Sequence, residues 1–190
     1  MSAIAPSFRL WISLTARRNP ALLAAIAYSG YALAGAVLLM LPLTREAARI
    51  DPVGLIDALF MPSSSFSTTG LVTLDPASTF NLGGEIVLLL LIQIGGLGYM
   101  TFMSLAYLML RDKLSPTQSR LTRAGFGLPE NFRMTPFLRR VVIATLAIEA
   151  AGAVILAILF DRAGTGNAVW NGIFHSISAF CTAGFALFPT

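Results

Sequence analysis

Two short stretches of this chain offer main-chain oxygens and no charge. Ser67-Thr68-Thr69-Gly70-Leu71 and Cys181-Thr182-Ala183-Gly184-Phe185 contain no Asp, Glu, Lys, Arg or His, and each carries one glycine. The chemistry such runs support is cation coordination. A dehydrated cation needs oxygens at close range to replace its water, and backbone carbonyls supply them without a full charge. The candidate ligands are the carbonyls of Thr68, Thr69, Gly70 and Leu71 in the first stretch and of Thr182, Ala183, Gly184 and Phe185 in the second. Gly70 permits the backbone angles that a turn at this point needs. Anion selectivity would require inward Arg or Lys, or the opposite helix-dipole end, and neither stretch holds a basic residue.

Each stretch must be positioned by what precedes it. Ile56–Phe66 (IDALFMPSSSF) and Trp170–Phe180 (WNGIFHSISAF) are too short to cross a bilayer and too apolar to be ordinary loops. They read as half-helices that enter a membrane, stop and turn back. Non-helical backbone survives at that depth only where protein or a water-filled cavity surrounds it. The carbonyl ends of the half-helices would add roughly half an elementary negative charge each. Sliding the chain on itself by 114 residues superposes Phe60 on Phe174, Ser64 on Ser178, Phe66 on Phe180, Thr68 on Thr182 and Gly70 on Gly184. The same shift lays the first long apolar run over the third. The unit is therefore span, half-helix, filter, span, repeated without inversion. The second copy breaks off just past its filter strand.

Composition agrees with a membrane chain. Of 190 residues, 56% are hydrophobic and 12% charged, and the mean hydropathy is +0.76, a balance of integral membrane proteins. Full spans are expected at Ala21–Leu43, Ile86–Leu110 and Val141–Phe160, each long enough for the roughly 20 residues a crossing needs. Gly30 and Gly35 leave one side of the first span small. Gln93-Ile94-Gly95-Gly96-Leu97-Gly98 marks tight packing in the second, against a half-helix. The single Cys181 excludes an intrachain disulfide and the single His175 excludes a multi-histidine metal site. The chain divides into an amino-terminal segment (1–20), a first repeat (21–110), a basic linker (111–136) and an incomplete second repeat (137–190). The first 20 residues are a cytoplasmic tail or a short interfacial helix with Trp11 at headgroup level.

Ten of the thirteen basic residues lie in the amino-terminal tail and in Arg111–Arg140. The positive-inside rule places both in the cytoplasm, so the half-helices enter from outside. Clustering of this kind points to topology rather than nucleic-acid binding. Arg111, Lys113, Arg120, Arg123 and Arg133 are also candidates for docking a regulatory subunit, and the segment can meet anionic lipid. Glu149, an intramembrane carboxylate, is expected to bond to a neighbouring half-helix. His175 is expected to be packed and hydrogen-bonded rather than a ligand. A competing reading, an intramembrane serine hydrolase drawn from Ser63, Ser64, Ser65, Ser176, Ser178 and His175, lacks nucleophile-elbow spacing. A non-conducting structural membrane piece is the other alternative.

The residues Asp57-Ala58-Leu59-Phe60, Thr69-Gly70-Leu71, Gln93-Ile94-Gly95-Gly96-Leu97-Gly98, and Phe174-His175-Ser176-Ile177-Ser178-Ala179-Phe180 with Ala183-Gly184-Phe185 carry a resemblance. The chain resembles the amino-terminal part of the ion-conducting subunit of the Trk/Ktr/HKT potassium-transporter superfamily. That resemblance implies an all-α integral membrane fold of potassium-channel-like M1-P-M2 repeats, four per polypeptide, here truncated after the second filter. It implies K+ as the transported ion at the eight carbonyls above, no organic cofactor in this chain and no enzymatic activity. It further implies a bacterial plasma (inner) membrane location, a homodimer, and a cytoplasmic nucleotide-binding regulatory ring of the RCK type. Gly70 is similar to the filter glycine of K+-selective members. Three departures stand out: Pro62 inside the first half-helix, Cys181 and Thr182 where relatives often carry asparagine, and the missing third and fourth repeats.

Overall fold

The structure, a computed structural model, describes residues 20–46, 53–98 and 134–188. The amino-terminal segment, the end of the second expected span and the basic stretch with its five docking candidates lie outside the described residues. All regular elements among the described residues are helical: α1 (Pro20–Met40), a 3-10 turn (Pro42–Thr44), α2 (Leu55–Phe66), α3 (Pro76–Thr79), α4 (Leu82–Gly96), α5 (Met134–Arg162) and α6 (Ala168–Phe180). The chain forms two compact units. The described part of one is the opening of α1 (20–30) and of α5 (134–141), helical throughout. The other holds the remainder of both helices and everything between Tyr31 and Gly98 and after Val142, and it contains the candidate site.

The Ala- and Leu-rich run of α1 propagates until Leu41-Pro42, where the residue before a proline is pushed out of the helical region. Thr44 then tucks back, its hydroxyl 2.8 Å from the Leu41 carbonyl and 3.0 Å from that of Leu38, covering helix-end acceptors that would otherwise lack donors. Asn81 stitches this turn to α4. Its Nδ2 donates to the carbonyls of Leu43 and Arg45 at 3.0 and 2.9 Å. Its Oδ1 accepts from Gly83 and Gly84 as the N-cap of α4, the preferred chemistry at that position.

Within the unit, small residues decide how closely the helices approach. A Cβ on Gly35 would stand 2.7 Å from Pro62 Cβ, so α1 lies hard against α2 at Pro62, which stands inside a continuous helix. Tyr31 stacks on Phe66 with centroids 4.8 Å apart. By contrast, nothing lies within 4 Å of a Cβ on Gly30. The expectation for Gln93–Gly98 is met geometrically: a Cβ on Gly95 would meet the Phe66 carbonyl oxygen at 2.0 Å, and one on Gly96 would meet Cys181 Sγ at 2.2 Å. α4 thus presses two adjacent glycines against the ends of both half-helices. Gly172 of α6 makes the matching approach to Ala153 and Ala157 of α5. Met61, Phe80, Leu88, Ile92 and Phe174 are fully buried at the centre.

Two element boundaries differ from expectation. The second span is not one helix from Ile86 to Leu110. α4 stops at Gly96, and Gly98 takes φ +77°, because the glycines that allow close packing also weaken helix continuation. The third span begins earlier, at Met134, with Arg139 and Arg140 exposed on the helix. Among the described residues one helix, Pro136–Arg162, is long and apolar enough to cross a membrane. Ala25–Met40 and Leu82–Gly96 are shorter apolar helices.

Gly95→Ala is expected to lower stability by about 3 kcal/mol through forced separation of α4 from α2. Gly30→Ala should be neutral or stabilising by up to about 1 kcal/mol. Thermal unfolding in detergent micelles would check both.

Candidate functional site

Both half-helices end in the same way. At the close of α2, Ser67 N donates to Ser63 O, Thr68 N to Ser65 O and Thr69 N to Ser64 O. At the close of α6, Cys181 N donates to Ile177 O, Thr182 N to Ala179 O and Ala183 N to Ser178 O. Every donor and acceptor is related by the 114-residue shift. This is a Schellman closure, whose left-handed position is normally glycine. Here that position is threonine in both copies, Thr68 at φ +52° and Thr182 at φ +55°. A β-branched residue in this region is an outlier and costs roughly 1–2 kcal/mol. Two residues later Gly70 and Gly184 return to positive φ, at +81° and +71°. The two stretches therefore share one unusual backbone path.

They also meet. A Cβ on Gly70 would lie 2.7 Å from the Ala183 carbonyl oxygen and 3.3 Å from Gly184 Cα. Only glycine allows this approach. Among the described residues, no donor reaches the carbonyls of Thr68, Thr69, Gly70 and Leu71, or those of Thr182, Ala183 and Gly184. The eighth candidate, Phe185, differs: its carbonyl accepts from Ser178 Oγ at 2.7 Å. Beyond the glycines, a cavity of about 300 Å³ is lined by Val72, Thr73, Leu74, Asp75, Pro76, Gly184, Ala186 and Phe188. Asp75 Oδ1 accepts from Ala77 N there, at 3.3 Å.

A buried polar group lies behind the second stretch. Glu149 is 4% exposed. Its Oε1 accepts from Gln93 Nε2 at 2.9 Å, Cys181 Sγ stands 3.9 Å from the same oxygen, and Oε2 has no partner among the described residues. The carboxylate's shorter bond is to α4, and the expected link to a half-helix is present beside it, from Cys181 at the end of α6. The half-helix also reaches Glu149 through its main chain, where Ser176 Oγ donates to the carbonyl at 2.7 Å. Sequence reasoning missed Gln93 as the partner; it stands in the glycine motif, a long polar side chain in an apolar run. His175 is packed and hydrogen-bonded as expected: its nitrogens meet Asn171 O at 2.8 Å and Leu187 N at 3.3 Å. With both nitrogens on the main chain, the ring has no serine to activate.

Comparison with known proteins gives the family. The family described as Cation transport protein (TrkH) matches residues 26–190. The chain belongs to the TrkH cation transport family. Among curated relatives, this TrkH-family chain is 34% identical over 180 residues to the Ktr system potassium uptake protein B of Bacillus subtilis, covering 94% of the chain and 39% of that protein. It is 36% identical over 164 residues to the protein of the same name from Vibrio alginolyticus, covering 86% and 35%. It is 32% identical over 172 residues to the potassium/sodium uptake protein NtpJ of Enterococcus hirae, covering 90% and 38%. The chain spans less than two fifths of the length of these relatives. They are transporters and not enzymes, which agrees with the engaged state of His175.

Replacing Thr68 by Gly removes left-handed strain at the cost of a freer unfolded chain. The expected net gain is about 0.5–1 kcal/mol, read as a higher midpoint of thermal unfolding. Gly70→Ala should destabilise by about 1–3 kcal/mol. It should be more damaging than Gly184→Ala, because the Cβ on Gly70 would overlap the Ala183 oxygen at 2.7 Å, whereas the one on Gly184 would meet Gly70 Cα at 3.3 Å and its oxygen at 4.0 Å.

Proposed function

We propose that the chain is part of a membrane subunit for potassium uptake, in which Ser67–Leu71 and Cys181–Phe185 are two strands of a backbone-carbonyl filter. One observation carries this reading: two stretches with the same αL–x–αL path touch at their glycines, and seven of their carbonyls have no donor among the described residues. Unpaired carbonyls away from water are costly unless something satisfies them, and a cation does so while losing its own water. Both half-helices direct their carbonyl ends at the strands, which adds partial negative charge. At 12 and 13 residues they are about 18–20 Å long, short of the roughly 30 Å hydrocarbon core. The unit is a span, half-helix and filter strand, repeated, with the half-helices entering from outside and the amino terminus in the cytoplasm.

Two strands do not encircle an ion. Conduction therefore needs two more, from a longer polypeptide of four repeats or from associated chains. The preferred cation is K+. The relatives' names divide between potassium alone and potassium with sodium, so selectivity belongs to the test. The surroundings proposed are a bacterial inner membrane and a homodimer. A cytoplasmic nucleotide-binding ring of the RCK type would dock on Arg111, Lys113, Arg120, Arg123 and Arg133, in keeping with the word "system" in the relatives' names.

Rb+ uptake into proteoliposomes, with K+ and Na+ as competitors, tests the assignment. Gly70→Ser is expected to lower the preference for K+ over Na+ by about tenfold, the equivalent of roughly 1.4 kcal/mol. Unchanged rate and preference in that variant would reject the filter.

A further inference from the structure

The two strands leave their shared glycine turn under different restraint. In the second copy, two bonds tie the outgoing limb to its own half-helix: Ser178 Oγ to Phe185 O at 2.7 Å, and Leu187 N to His175 Nε2 at 3.3 Å. The His175 ring also stacks on Phe188, with centroids 4.7 Å apart, and meets Phe160 edge-on at 5.4 Å. In the first copy neither bond has a counterpart among the described residues. Ser64, in the place of Ser178, is buried, and its hydroxyl has no partner among the described residues. Met61, in the place of His175, is fully buried and offers no nitrogen. The limbs differ accordingly: Phe185 and Leu187 are 2% and 8% exposed, whereas Leu71 is 60% exposed.

The bonding fixes the protonation of the imidazole. Leu187 contributes a backbone N–H, so Nε2 must be an acceptor. Asn171 contributes a carbonyl, so Nδ1 must carry the hydrogen. Only the neutral Nδ1–H tautomer meets both. That ring joins the half-helix main chain to the limb three residues beyond Gly184.

We propose that His175, as this neutral tautomer, is the positioning residue of the second strand: it holds the 185–188 limb and thereby sets where the Ala183 and Gly184 carbonyls stand. The second strand is then the fixed wall of the filter and the first strand the compliant one. This rests on the filter reading above and names the residue that makes its two strands unequal.

The test compares three variants in the same Rb+ uptake assay, with thermal unfolding of each purified protein measured alongside. His175→Phe keeps an aromatic ring and loses both nitrogens. It should fold, and its preference for K+ over Na+ should fall by about three- to tenfold, the scale of one or two lost hydrogen bonds. His175→Gln restores an acceptor for Leu187 N and should stay within about twofold of wild type. Gly184→Ser reports on the filter itself and should lose the preference. Wild-type preference in His175→Phe, alongside a loss in Gly184→Ser, would overturn the His175 assignment and leave the filter standing. Wild-type preference in both would overturn the filter and this inference together. Equal losses in the Phe and Gln variants with matching drops in unfolding temperature would make His175 a packing residue only, which also overturns the proposal. Should His175→Phe fail to accumulate, Ser178→Ala removes the other tie and must lower the preference in the same direction.

Discussion

A peptide carbonyl taken away from water needs a donor or a cation, and the described unit is arranged around carbonyls that no donor among the described residues reaches. Each half-helix closes with three backbone hydrogen bonds that use up its own last acceptors. The oxygens that follow are left over. For those oxygens to gather, two main chains must come within contact distance, and this is possible only where both lack a side chain. The contact between Gly70 and Gly184 is the geometric core on which the other elements converge.

The rest of the unit serves that convergence. α4 supplies Gly95 against the end of α2 and Gly96 against Cys181, holding both half-helix ends on one surface. α1 and α5 stand behind their half-helices in the same register: Gly35 faces Pro62, and at the equivalent place Glu149 receives Ser176 through its main chain. The second copy therefore inserts a carboxylate where the first has nothing. That carboxylate is met by the one long amide of α4, Gln93. An outer layer, made by Asn81 between the 43–45 turn and α4 and by the Trp170 Nε1 bond to Glu85 at 2.6 Å, fixes the heights of the helices. Repetition thus governs the backbone, while side chains make the two copies unequal.

Much of this was legible in the residues. Phe60, Ser64, Phe66, Thr68 and Gly70 recur at a constant spacing of 114 residues, and the equivalence extends to the individual backbone hydrogen bonds that close α2 and α6. The glycine run Gly95-Gly96 announced close packing, and the packing partner was the expected half-helix. What failed was continuity: an apolar run to Leu110 looked like one span, yet the same glycines end α4 at Gly96. Hydropathy measures transfer from water and is blind to where a helix breaks. Thr68 and Thr182 gave no warning of positive φ either, because threonine is intrinsically poor there and only the surrounding closure imposes it.

The division of labour has a physical basis. Sequence alone determined the local quantities: which runs are apolar, which are too short to cross a bilayer, where charge is excluded, and that the pattern occurs twice. Each of these depends on residue type and spacing along one segment. Tertiary structure decided everything that depends on two distant segments meeting: the glycine contact, the pairing of Gln93 with Glu149, the restraint of one outgoing limb by His175 and the freedom of the other. A side chain's partner is set by the packing of separate helices, and no spacing within the chain encodes it.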